Sequence, residues 1–167
     1  MEGNLDSTDR KILRELQENG RLTNQELAAR VNLSPSPCLR RVRLLEQRGV
    51  IQGYTAIVDH HKYGLPIDVF VQVRLERHSE DAVKVFEAQV QDIDEILDCY
   101  VMTGTTDYLL HIVSDSLQSY ERLMRQRLHK IPGIAAIETS FAFGRVKRKK
   151  TFPPLHRAEP AAGHRPS

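Results

Sequence analysis

No stretch of this chain approaches the roughly 18 consecutive apolar residues that a membrane-spanning helix needs. A membrane is therefore not an expected partner. The first ten residues are polar and acidic and lack the apolar core of a secretory signal. Cysteine is scarce. Cys38 and Cys99 lie far apart and show no metal-ligand spacing. Neither a disulfide framework nor a thiolate metal site is expected, and a reducing cytoplasm is the simplest location. Of the seven histidines, no two stand four apart beside a glutamate, so no histidine metal site is expected either. A nucleophile–base pair and a Gly-rich phosphate loop are also missing, which predicts no catalytic residues, no cofactor and no enzyme. Asp92, Asp94, Glu95 and Asp98 crowd one helix–strand loop and read as an acidic surface.

The formal net charge of +2 conceals a division along the chain. Residues 1–60 hold nine bases and eight acids, 61–140 hold eight and 13, and 141–167 hold seven and one. An acidic middle binds nucleic acid poorly, so DNA contacts are expected from the two ends. The run Arg145-Val146-Lys147-Arg148-Lys149-Lys150 suits phosphate contact and a merely solubilising chain end equally well.

The first 50 residues hold three short helical patterns. The first spans about 6–18, with Ile12, Leu13 and Leu16 as its apolar stripe. Asp6 or Ser7 can cap it, and Asn19-Gly20 stops it. Thr23-Asn24-Gln25-Glu26 is a capping box opening the second helix, flanked by Leu22 and Leu27 at the staple positions. The third follows Ser34-Pro35-Ser36-Pro37. Pro37 pushes Ser36 out of the α region and makes it the favoured N-cap, with Ser34 as the alternative. Cys38, Leu39, Val42 and Leu45 form its core face. Ser36, Arg40, Arg43 and Gln47 form its outer face, with Arg41 at the flank.

Two helices joined by a short turn, the second basic outside, make a helix-turn-helix over about 24–43. Arg can bond guanine bidentately, so Arg40, Arg43 and Gln47 are the base-reading candidates. Ser34, Ser36, Arg41 and the N-terminal amides of the third helix are the phosphate candidates.

Residues 50–58 read as a strand, and 59–66 as a polar hinge in which His60 and His61 are solvated. A regular pattern follows. Strands are expected at 67–75, 96–103, 108–113 and 134–143, and helices at 79–90 and 117–129. The first of these helices turns Ala82, Val83, Val85, Phe86 and Val90 inward, and Cys99, like Cys38, reads as a small core residue. The order β-α-β-β-α-β is the ferredoxin-like sandwich. The fold class is α+β: a winged helix-turn-helix at 5–66, a ferredoxin-like domain at 67–145 and a basic tail at 146–167. Beyond Pro153 the tail lacks apolar residues to bury and is expected to be disordered.

Leu33-Ser34-Pro35-Ser36-Pro37-Cys38-Leu39-Arg40-Arg41-Val42, then Leu45-Glu46 and Gly49-Val50-Ile51-Gln52-Gly53-Tyr54-Thr55-Ala56, resembles the DNA-reading segment and following strand of the Lrp/AsnC regulators. Gly104-Thr105-Thr106-Asp107-Tyr108 is similar to that family's Gly-Asp-x-Asp-Tyr turn, and Ile131-Pro132-Gly133-Ile134 to its Leu-Pro-Gly-Val. The likeness covers about residues 5–150. It implies double-stranded DNA as a partner and a homodimer paired through the sheets, assembling further to a tetramer or octamer. It also implies a small-molecule effector, an amino acid or related metabolite, held between subunits. The effector candidates it implies are Thr103, Gly104, Thr105, Thr106 and Asp107, with Tyr100, Met102 and Ser140 on neighbouring strands. Thr105 stands where the family often has its first Asp, so the turn carries one charge fewer. A plain tight β-turn stays open as an alternative reading of this segment. An architectural DNA-compacting protein without an effector is the second functional reading.

Overall fold

In the computed structural model, which describes residues 5–154, the chain forms two compact units. Of these, one contains residues 5–56 together with 147–154, and the other contains residues 57–146. The division falls ten residues before the expected boundary at 66/67, and the basic segment groups with the first unit. Residues 155–167 lie outside the described residues, and with them most of the tail expected to be disordered.

The first unit is built on α1 (Ser7–Glu18), α2 (Asn24–Arg30) and α3 (Pro35–Gln47). Ile12, Leu27, Ala28, Val31, Cys38 and Leu45 form its buried core. Asp6 is the cap of α1. It accepts from the Asp9 amide at 2.7 Å, while the Asp9 carboxylate takes the Asp6 amide, a capping box built from two aspartates. The Thr23–Glu26 box opens α2 as its sequence requires. The turn into α3 is set by Asn32, whose φ of +57° is a left-handed conformation that Asn tolerates and β-branched residues resist.

Four sequence expectations fail within residues 34–66. Ser34, not Ser36, caps α3, which places Pro35 at N1 and Pro37 at N3. The first turn needs no N–H from either proline, so the helix absorbs both. Leu39 is 38 % exposed rather than a core residue. At 100° per residue it stands about 60° from Ser36 and about 120° from Leu45, so its position favours the outer face. No strand forms at 50–58, where Val50, Tyr54, Ile57 and Val58 are exposed. A strand needs a partner edge to satisfy its amides, and none pairs with this segment among the described residues. The 59–66 hinge contains a short helix, α4 (His60–Tyr63), capped by Asp59 and ended by Gly64. His60 is half-buried there, its Nδ1 2.8 Å from the Leu65 carbonyl and its Nε2 3.6 Å from Asp68.

The second unit carries β1 (Ile67–Leu75), α5 (Glu80–Gln91), β2 (Ile96–Val101), β3 (Tyr108–Ser114), α6 (Leu117–Gln126) and β4 (Ile134–Phe141). The sheet order is β2-β3-β1-β4, every pair antiparallel, as the ferredoxin-like reading requires. Period-2 alternation assigns its faces. Val69, Val71, Val73, Leu110 and Ile112 are fully buried with Phe86 of α5 and Leu128. Asp68, Phe70, Gln72, Leu109, His111 and Tyr100 lie on the opposite, open face.

Several boundaries differ. β2 ends at Val101 and β4 at Phe141, and the second helix stops at Gln126 before a 3₁₀ turn at Leu128–Lys130. Val85 is 42 % exposed, because α5 buries the narrower stripe of Phe86 and Val90. Cys99 is exposed, because β2 is an edge strand with five of its six residues open.

Candidate DNA-reading face and effector turn

Helix α3 brings Ser36, Leu39, Arg40, Arg43, Leu44 and Gln47 around one shallow depression of about 300 Å³. Four of these are sequence candidates. Arg40 and Arg43 are exposed and have no ion-pair partner among the described residues. Leu39 and Leu44, 38 % and 48 % exposed, were missed as site residues. Exposed leucines between arginines on a reading helix suit thymine methyl groups.

The phosphate candidates divide. Ser34 caps α3 by backbone position alone, and its hydroxyl makes no cap hydrogen bond. The helix N-terminus offers little else. Pro35 and Pro37 have no N–H, and the Cys38 amide already donates to Ser34 O at 3.2 Å. Within the first turn only Ser36 keeps a free amide, so the expected cradle of N-terminal amides is largely absent.

Arg41 departs furthest from expectation. Its Nη1 lies 2.7 Å from Asp6 Oδ2 and 2.7 Å from Asp9 Oδ1, so the guanidinium is held by the α1 capping box. Asp6 first, then Asp9, hold the guanidinium more firmly protonated than usual. Its two hydrogen bonds pull the Asp6 carboxyl below the ordinary range, the Asp9 amide first and Arg41 second. The helical wheel explains the placement. Arg41 stands only about 40° from Leu45, on the inward flank. The charge is paired with two acids of its own chain. Arg41→Ala should therefore destabilise the first unit by roughly 1–2 kcal/mol, the scale of a charged hydrogen bond to the buried Asp9. A melting curve on the variant checks this, and an unchanged midpoint would refute it.

The second site candidate is the β2–β3 turn. Gly104 has φ +112°, a conformation that a side chain would strain, with nothing within 4 Å of where its Cβ would stand. Thr103, Gly104 and Thr105 are exposed, Thr106 and Asp107 half-buried. Asp107 is tightly engaged. Its Oδ2 accepts from the Leu75 amide at 2.7 Å, and its Oδ1 lies 2.8 Å from His78 Nε2. The Leu75 amide sits where the β1–β4 register shifts, so Asp107 serves a donor close to that irregularity. Leu75 first, then His78, hold the Asp107 carboxyl below the ordinary range against the opposing effect of burial. Tyr100 and Met102, 51 % and 39 % exposed, adjoin the turn. Ser140 does not. It pairs with Phe70 on β4, the edge opposite β2, so the expectation that it borders the turn fails within one chain.

On the open face His111 lies between two carboxylates, Nε2 2.6 Å from Asp68 and Nδ1 3.2 Å from Asp98, and stacks on Phe70 at 4.9 Å. Sequence reading passed over Asp68, Phe70 and His111 and took Asp98 for part of an acidic helix–strand loop, whereas it stands on β2. The four lie on three paired strands and meet only once the register is known.

Comparison with known proteins places both sites in context. Residues 5–52 match a winged helix-turn-helix DNA-binding model, and 68–152 match the Lrp/AsnC ligand binding domain. The leucine-responsive regulatory protein of Escherichia coli K12 is 42% identical over 144 residues, 86% of this chain and 88% of that protein. A transcriptional regulator from Neisseria meningitidis, solved as an L-Met complex, superposes with a TM-score of 0.85 at 39% identity, covering 90% of this chain and 97% of its own. An AsnC family transcriptional regulator from Agrobacterium tumefaciens gives 0.83 at 36%, covering 89% and 97%. With a DNA-binding unit, a ligand-binding unit and relatives that match along most of its length, the chain belongs to the Lrp/AsnC family of transcription regulators.

Proposed function

We propose that α3 reads base edges with Arg40, Arg43 and Gln47, assisted by Leu39 and Leu44, while Ser34 and Ser36 hold phosphates. The observation that carries this reading is the split among the arginines of α3. Arg40 and Arg43 stand on one face without an ion-pair partner among the described residues, whereas Arg41 is neutralised by Asp6 and Asp9. A protein that only coated DNA by charge would gain from freeing all three. Binding of Arg40→Ala and Arg43→Ala to a selected and an arbitrary duplex at one salt concentration tests it. An unchanged preference between the duplexes would reject the assignment.

The effector in this reading is an amino acid or a related metabolite. It binds at Thr103, Gly104, Thr105, Thr106 and Asp107, with Tyr100 and Met102 beside it. The exposed turn supplies backbone amides and threonine hydroxyls for a carboxylate. Each Asp107 oxygen already holds one hydrogen bond, yet a carboxylate has about four lone-pair sites, which leaves capacity for an ammonium. Asp107→Asn is accordingly expected to lower both thermal stability and affinity for the responding amino acid. Titrating the free amino acids against both proteins, with a melting curve on each, checks the two effects. A lower midpoint with unchanged affinity would leave the turn as structure only. The pH sign follows from the lowered carboxyl. Its stabilisation is complete above the ordinary aspartate value near 3.9 and is lost as pH falls through the lower folded value. The midpoint gap between wild type and Asp107→Asn should thus be full near neutrality and close in acid.

The assembly in this reading is a homodimer through the open sheet face around Phe70, Tyr100, Leu109 and His111, building to a tetramer or octamer. Half-exposed aromatics on an otherwise polar sheet face support it. Segment 50–58, apolar and unpaired, is suited to complete its hydrogen bonds against another subunit.

A further inference from the structure

We propose that Lys147, Arg148, Lys149 and Lys150 form a second DNA contact, a phosphate-binding strap fixed to the helix-turn-helix unit. The inference rests on α3 being the reading helix. The structure groups residues 147–154 with that unit and not with the sheet. A hydrogen bond supports the placement. The Phe152 amide donates to Gln17 Oε1 at 3.2 Å, on the last turn of α1.

That anchor lies at the α3 end of the unit through a short series of contacts. Gly20, three residues past Gln17, approaches the Tyr54 ring, which lies 3.7 Å from the position of a Cβ on that glycine. The Tyr54 hydroxyl in turn donates to Glu46 Oε1 at 2.9 Å. Glu46 stands on the last turn of α3, next to Gln47 of the reading face. From Phe152 back to Lys147 is five residues, a reach of up to about 17 Å. The strap can therefore flank the C-terminal end of the reading helix.

The charges are available for DNA. All four residues are exposed and have no ion-pair partner among the described residues. The nearest acids of α1 are taken, Glu15 by Arg30 at 3.1 Å and Glu18 by Arg14 at 3.7 Å. No acid stands within the run from Arg145 to Lys150. A closely spaced row of unpaired cations matches a duplex, which presents one negative charge per about 1.7 Å of axis. Three of the four are lysines, which lack the guanidinium fork that reads guanine, so the contact adds affinity largely without sequence preference.

The test uses the full chain and a variant carrying Lys147→Gln, Arg148→Gln, Lys149→Gln and Lys150→Gln. Affinity is measured against salt for a selected duplex and for an arbitrary 40-base-pair duplex. Each lost phosphate contact lowers the slope of log affinity against log salt by about 0.9. The strap predicts a slope lower by at least about 1.8 per chain on both duplexes, with their affinity ratio unchanged. The double variant Lys149→Gln/Lys150→Gln should give about half the effect. An unchanged slope on both duplexes overturns the strap and leaves the run as a solubilising end. A slope change accompanied by altered oligomeric state without DNA, seen by sedimentation, also overturns it. Failure of the α3 reading looks different: Arg40→Ala/Arg43→Ala would then leave the affinity ratio intact, whatever the strap variant does.

Discussion

Replacing both Arg40 and Arg43 by Ala is expected to abolish sequence preference while leaving the protein folded. The two side chains are exposed, make no ion pair among the described residues and line one depression on α3 with Ser36 and Gln47. A bidentate Arg–guanine contact discriminates by about 1–3 kcal/mol, and a dimer removes each contact twice, once per half-site. The double variant should lose at least about a hundredfold on a selected duplex and much less on an arbitrary one. Its melting curve should match wild type, because neither side chain belongs to the core of Ile12, Leu27, Ala28, Val31, Cys38 and Leu45. Competition binding at fixed salt reads the ratio. Arg41→Ala is the internal contrast, expected to shift the melting curve and to spare the salt slope.

The second large effect concerns assembly. A fragment of residues 1–63 keeps the whole core of the first unit but none of the sheet. One short helix-turn-helix buries too little surface for tight specific binding, and linking two copies raises avidity by about 10²–10⁴. The fragment should bind a selected duplex at least about a hundredfold more weakly than the full chain. Fluorescence anisotropy on one duplex compares the two. A monomeric fragment with full-length affinity would show that neither the sheet domain nor the 147–150 run contributes to DNA binding.

Much of the architecture was legible because it rests on local chemistry. The Thr23–Glu26 capping box and the alternation of 67–75 each dictate an element without help from distant residues. The failures share a different cause. Arg41 resembled its arginine neighbours, and only its place on the inward flank brings it to Asp6 and Asp9 at the start of another helix. The strand expected at 50–58 has the right residues but no partner edge among the described residues. Ser140 was expected beside the turn from the resemblance alone, and the order β2-β3-β1-β4 puts its strand at the edge opposite β2. Asp107 was legible as the key residue of its turn, yet not as the acceptor for the Leu75 amide, 32 positions away.

Footprinting of the full chain on duplex DNA at fixed salt, with and without each free amino acid, tests the central claim most directly. A regulator that reads sequence through α3 and senses an effector at the Thr103–Asp107 turn should protect a few discrete sites. Those sites should repeat at about 10–10.5 base pairs or its multiples, one turn of the duplex per half-site. At least one amino acid should change their extent or occupancy. Continuous coverage indifferent to sequence, and unaltered by every amino acid, would contradict the account and make the protein an architectural DNA binder.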